Sequence, residues 1–218
     1  MTHRKYIIAL VLGIALVAFA VGAYLYQSRV QSAQQQQAAE HAERLVRMHS
    51  PVLGPQDAPV TIVEFFDPAC ETCRAFYPFV KDLMRQYPSQ VRLVIRYAPF
   101  HKGSDEVVKL LESARRQDKY LAVLESVLAA QPQWADHGDP NLQLAYKAAE
   151  RAGLDMQQAR ADMAAPALEV MLRQEVQDLT ALKADKTPTF FVNGRPLPSF
   201  GQKQLADLVS EEVAKAKK

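Results

Sequence analysis

The chain has 218 residues, 49% hydrophobic and 23% charged, with a formal net charge of +2. That is enough apolar material for one globular domain with additions, and too much for a chain disordered throughout. Its Lys and Arg residues are dispersed through apparent helices, so there is no concentrated basic field and no nucleic-acid partner is expected.

After Arg4 and Lys5, the run Tyr6 to Tyr26 carries no charge, and about 20 apolar residues are what a helix needs to cross a hydrocarbon core. Basic residues ahead of the run put Met1 in the cytoplasm and the rest outside. A single-pass anchor is therefore expected over residues 1–26. The small-residue triplets Ala18-Phe19-Ala20 and Val21-Gly22-Ala23 leave open a cleaved leader and a soluble periplasmic protein. Either way the cysteines reach an oxidising compartment, where disulfides persist. Residues 27–49 are polar and Gln/Ala-rich without a sustained apolar heptad, and are expected to form a linker.

Ser50 to Pro59 is dense in turn formers and marks where the domain begins. Strands are expected at Val60–Phe66 and Val91–Tyr97 with a helix between them, a βαβ unit whose two strands are parallel and buried. From 103 to 184 no strand pattern occurs. Val107, Leu110, Leu111 and Ala114, then Leu121, Leu124, Val127 and Leu128, recur at helical spacing. Further helices are expected at Asn141–Arg151, Asp155–Met163 and Pro166–Lys183. Thr189–Val192 reads as a strand, Asn193-Gly194 as a tight turn and Gly201–Lys215 as a closing helix. The domain is then α/β, formed by 50–102 and 185–218 around a helical insertion at 103–184.

Both cysteines lie at the junction of the first strand and its helix, in Cys70-Glu71-Thr72-Cys73. Unsatisfied N–H groups and the dipole at a helix mouth favour a thiolate there, which makes Cys70 the nucleophile. Cys73, one turn deeper, is placed to attack a mixed disulfide and release the partner. A bridge closing so short a loop is a poor structural staple. Zinc needs more ligands than two thiols, and His49, His101 and His137 have no ligand-like spacing. Haem attachment needs His at 74, which is Arg. Cu(I) carriage by two thiolates stays chemically open, although Met156, Met163 and Met171 read as core filler. No phosphate loop or hydrolase triad is present, and no cofactor is expected.

Glu64 interrupts an apolar strand, where a carboxylate is costly unless paired or neutral. Desolvation would raise its pKa and let it pass protons to and from Cys73; the alternative is a Glu facing outward from an edge strand. In Thr187-Pro188 the proline either ends a helix or sits cis in a tight site, leaving Thr187 as an edge for peptide pairing. Pro78 should kink the Cys-led helix. Trp134, Phe100 and His101 either line a groove beside the dithiol or pack as core.

Together, Glu64 six residues before Cys70, the Cys-x-x-Cys pair, Pro78, Thr187-Pro188 before Thr189–Gly194 and the helical insertion resemble the thioredoxin superfamily, in its DsbA-like branch of exported thiol-disulfide oxidoreductases. The resemblance implies a thioredoxin core with a helical cap, Pro188 in cis facing the disulfide, and client peptides held at Thr187 and Pro188. Exported clients with thiols or disulfides, and a redox partner in the membrane, are the implied partners. Strong oxidants of the family commonly carry Pro-His between the cysteines; here an anionic Glu71 should oppose the thiolate. Thr before the cis-proline also occurs in members that isomerise or reduce disulfides, so those activities stand beside disulfide formation.

Overall fold

The computed structural model describes residues 41–216, with Phe19, Val21, Gly22, Tyr24–Tyr26, Ser28 and Arg29 of the N-terminal stretch. The chain divides into two units, Met1–Glu43 and Arg44–Lys218. In the first, the described residues between 19 and 29 are helical. Among the described residues no helix is long and apolar enough to cross a membrane. Most of the span expected at Tyr6–Tyr26, like most of the polar stretch 27–49, lies outside them.

In the second unit, five strands form one mixed sheet in the order β1-β3-β2-β4-β5. They are β1 (Val52–Leu53), β2 (Val60–Phe66), β3 (Val91–Tyr97), β4 (Thr189–Val192) and β5 (Arg195–Pro196). The centre is the expected parallel pair, with Glu64 of β2 opposite Ile95 of β3. β4 returns antiparallel on the other side of β2, opposing Phe190 to Glu64. Among its described residues the unit also carries the helices α1 (Glu71–Gln86), α2 (Ser104–Arg116), α3 (Tyr120–Trp134), α4 (Leu142–Arg151), α5 (Met156–Met163), α6 (Pro166–Leu182) and α7 (Gln202–Ala216). Helices α2 to α6 therefore stand between β3 and β4 in the chain, as the helical insertion expected there.

Strand alternation splits the core in two. Val60, Ile62 and Phe66 of β2, with Val91, Leu93, Ile95 and Tyr97 of β3, join the larger core shared with α1, α7 and most of the insertion. Val63, Phe65 and Val94 face the other way, onto Leu179 and Leu182 of α6. Fully burying a large apolar side chain contributes about 1.5–3 kcal/mol, so both faces of the central strands hold them in register.

The second face also carries charge. Arg96 of β3 is fully buried; its guanidinium meets Glu175 at 3.0 Å and Asp178 at 2.8 Å, both on α6. Arg47 adds a second contact to Asp178 at 2.7 Å, and His49 reaches Glu175 at 2.6 Å. Leu45 is buried beside them. The folded domain thus begins ahead of Ser50, because residues 44–49 supply counter-charges that these buried carboxylates require.

At the far end, Asn193 and Gly194 take the positive φ values that the tight turn needs, 47° and 81°. The Asn193 side chain accepts from the Thr61 N–H at 2.8 Å, fixing the turn to the start of β2.

Candidate active site

Cys70 is the N-cap of α1, with φ −76° and ψ 120°. The turn that delivers it is built by Asp67, whose carboxylate accepts from the Ala69 N–H at 2.8 Å and whose carbonyl accepts from the Cys70 N–H at 3.1 Å. The other carboxylate oxygen takes the N–H groups of Phe100 and His101 and meets the His101 ring at 2.7 Å. Pro78 lies inside α1, downstream of both sulfurs.

The two cysteines are unbridged thiols, 6% and 0% exposed. Hydrogen bonding from the Cys73 thiol pulls the Cys70 pKa down to about 5; burial opposes this, while Thr187 and the N–H groups of Cys73 and Thr72 reinforce it. Cys73 moves oppositely: burial pushes its thiol far above the ordinary range, helped by the bond with Cys70 and the charge of Glu64. At neutral pH the pair therefore holds one thiolate and one thiol, with the thiolate at the helix mouth.

Glu64 is fully enclosed on the central strand, which excludes the outward-facing edge position. Desolvation, then the charge of Cys70, raise its pKa to about 8. Its Oε1 has no hydrogen-bond partner, and its neighbours in alternation, Ile62 and Phe66, line the same core as Cys73. The carboxyl is neutral at pH 7, as its apolar strand implied.

The Thr187–Pro188 bond is cis. Cys70 Sγ lies 3.4 Å from the Thr187 carbonyl oxygen, which brings the loop before β4 against the helix mouth. The Glu71 carboxylate lies 3.1 Å from Nε2 of His137. The His137 ring packs on His101 with centroids 4.5 Å apart, so a His–His stack links Glu71 to Asp67. Trp134 is core, its indole donating to the Val127 carbonyl at 3.0 Å, whereas Phe100 is half exposed.

Asp67, Gln131 and His137 were not singled out as site residues by their sequence context. Asp67, ahead of Pro68, carried one usable signal, since Asp commonly starts a turn by capping backbone N–H groups. Gln131 and His137 carried none; their partners lie 57–66 positions away, across the insertion. A groove of about 600 Å³ runs between the end of α3 and the first turn of α1, lined by Glu71, Arg74, Gln131, Asp136 and His137. Among the described residues, no cluster of three or more His, Cys, Asp or Glu could hold a metal ion.

A βαβ core whose helix opens on paired thiols, with a cis-proline loop against them and a helical insertion above, is the architecture of a DsbA-like thioredoxin fold. A family described as thioredoxin matches residues 47–211. The chain belongs to the thioredoxin family. It is similar to a thioredoxin-like oxidoreductase from Silicibacter pomeroyi, at 32% identity and TM-score 0.67, covering 80% of this chain and 96% of that one. It shares the fold of the thiol-disulfide exchange protein alpha-DsbA2 from Wolbachia pipientis, at 17% identity and TM-score 0.69, over 83% and 96% of the two chains. The Na+/H+ antiporter NhaA of Herminiimonas arsenicoxydans is 32% identical over 146 residues, 67% of this chain and 22% of that protein. The chain thus spans about a fifth of the length of the curated relatives it matches.

Proposed function

We propose that the protein is an exported thiol-disulfide oxidoreductase that forms disulfides in client proteins by exchanging its Cys70–Cys73 pair with them. The observation that carries this reading is the opposed ionisation of the two sulfurs, Cys70 lowered to about 5 and Cys73 held protonated. A thiolate stabilised in the reduced protein makes the disulfide a readier oxidant.

In the forward direction, a client thiolate attacks Sγ of Cys70 in the oxidised protein. The Cys70–Cys73 bond breaks, a mixed disulfide forms, and Cys73 leaves as a thiolate. Glu64, neutral at pH 7 and sharing the core of Cys73, supplies its proton. A second client thiolate then attacks the client sulfur of the mixed disulfide. Cys70 departs as the stabilised thiolate, so the client loses two electrons and the protein gains them. Thr187 and Pro188, against Cys70, hold the client backbone. A redox partner in the membrane re-oxidises the pair, and the uncharged segment Tyr6–Tyr26 tethers the domain on the periplasmic side. The antiporter activity named for those relatives is theirs, since the stretch matched here is 22% of the first of them.

The test is the equilibrium reduction potential of the Cys70–Cys73 couple against glutathione, measured together with oxidation of a reduced client peptide by the full chain. An oxidising potential with turnover supports disulfide formation. A strongly reducing potential replaces it with reductase chemistry, and stoichiometric Cu(I) binding without redox turnover replaces it with metal carriage.

A further inference from the structure

We propose that Gln131 is a positioning residue for the exchange reaction, acting from the helical insertion to hold the turn that presents Cys70. This rests on the exchange reading of the dithiol given above.

The side chain is almost wholly buried, 1% exposed, near the C-terminal end of α3. A glutamine amide offers two N–H donors and a carbonyl acceptor, and here every one is directed at the dithiol turn. Nε2 donates to the Pro68 carbonyl at 2.8 Å and to the Cys70 carbonyl at 3.0 Å. Oε1 accepts from Nε of Arg74 at 2.7 Å. Three bonds from one side chain of the insertion therefore straddle both sulfurs, two ahead of the helix and one after Cys73.

Such a clamp bears on chemistry as well as on packing. Cys70 is stabilised as a thiolate by hydrogen bonds from Cys73, Thr187 and the first N–H groups of α1. Those bonds exist only while the Pro68–Cys70 backbone keeps Sγ over the helix mouth, and hydrogen bonds weaken steeply as their angles open. Asp67 fixes the start of this turn through Ala69, and Gln131 fixes its end. Removing the amide takes its donor from the Pro68 carbonyl, leaves the Cys70 carbonyl held by the Arg74 N–H alone at 3.1 Å, and releases the Arg74 side chain from α3. The thiolate then loses part of its support, although no atom that reacts has been altered.

The discriminating variant is Gln131→Met in the full reduced chain, similar in volume but unable to make any of the three bonds. Thiolate absorbance and iodoacetamide alkylation are followed across pH. We expect alkylation near pH 5.5 to slow by at least about threefold, with rates converging near pH 9, where Cys70 is ionised in both proteins. The titration midpoint rises and the disulfide becomes less oxidising. A variant that melts earlier yet titrates as wild type overturns the proposal, because Gln131 would then be a staple between insertion and core. Should Gln131→Met not fold, Gln131→Asn keeps the amide one methylene short of both carbonyls. The same upward shift is expected from it, and a wild-type profile overturns the proposal equally. The two readings fail separately: wild-type protein that ionises at Cys70 but does not turn over client peptide removes the exchange reading, whereas an unchanged titration in the variants removes only the role of Gln131.

Discussion

Residue by residue, the dithiol works by contrast. Cys70 sits where α1 offers N–H groups, while Cys73 lies one turn below with 0% exposure. Cys70→Ser should abolish client oxidation, and Cys73→Ser should accumulate mixed disulfides visible on non-reducing gels, because attack succeeds but release does not. Glu64 extends the contrast to a carboxyl. Its pKa is about 8 in the fold against 4.5 ordinarily, so between those values the folded protein keeps a proton that the unfolded chain has lost. Stability must then fall as pH rises through that window. Glu64→Gln should stabilise the domain at pH 8 by on the order of 2 kcal/mol in urea unfolding, with the gain vanishing towards pH 4.5. The same change should slow proton delivery to Cys73, and client turnover, by roughly tenfold. Glu64 could be recognised in the sequence because a carboxylate in an apolar strand needs a reason. Gln131 could not, since a glutamine in a helix ordinarily reads as solvent-facing.

Among the elements, β2 and β3 were legible to the residue because their β-branched and aromatic runs are bounded by turn formers. The short edge strands β1 and β5 were not. Val52–Leu53 is embedded in prolines and glycines, and its strand character comes only from pairing with Leu93 and Val94 of β3. The attachment of α6 was equally hidden, since Arg96 looks unremarkable until Glu175 and Asp178 arrive from 79 and 82 positions away. Removing one member of a buried ion cluster strands the rest, so Arg96→Met should destabilise the domain by about 3 kcal/mol in a denaturant titration. Burial alone would raise Asp178, but hydrogen bonds and charges from Arg47 and Arg96 hold it below 3.8. Its contribution is therefore complete above pH 3.8 and is lost as pH falls further.

For the molecule as a whole, the Cys70 pKa of about 5 against an ordinary 9.0 means that the reduced protein gains stability as pH rises between those values. The disulfide form has no such group. Reduced protein should therefore melt at a higher temperature than oxidised protein at pH 7, and the gap should narrow towards pH 5. Equal melting temperatures in a calorimeter would contradict the oxidising role. Client oxidation by the disulfide form should likewise fall as pH rises through about 8, where Glu64 loses the proton that it delivers to the departing Cys73.

Because Cys73 is sealed beneath the helix mouth, the reduced chain should look like a single-cysteine protein to any bulky reagent. A maleimide dye ought to count one sulfur per native molecule and two after denaturation, giving a one-site handle for attaching probes without engineering the sequence.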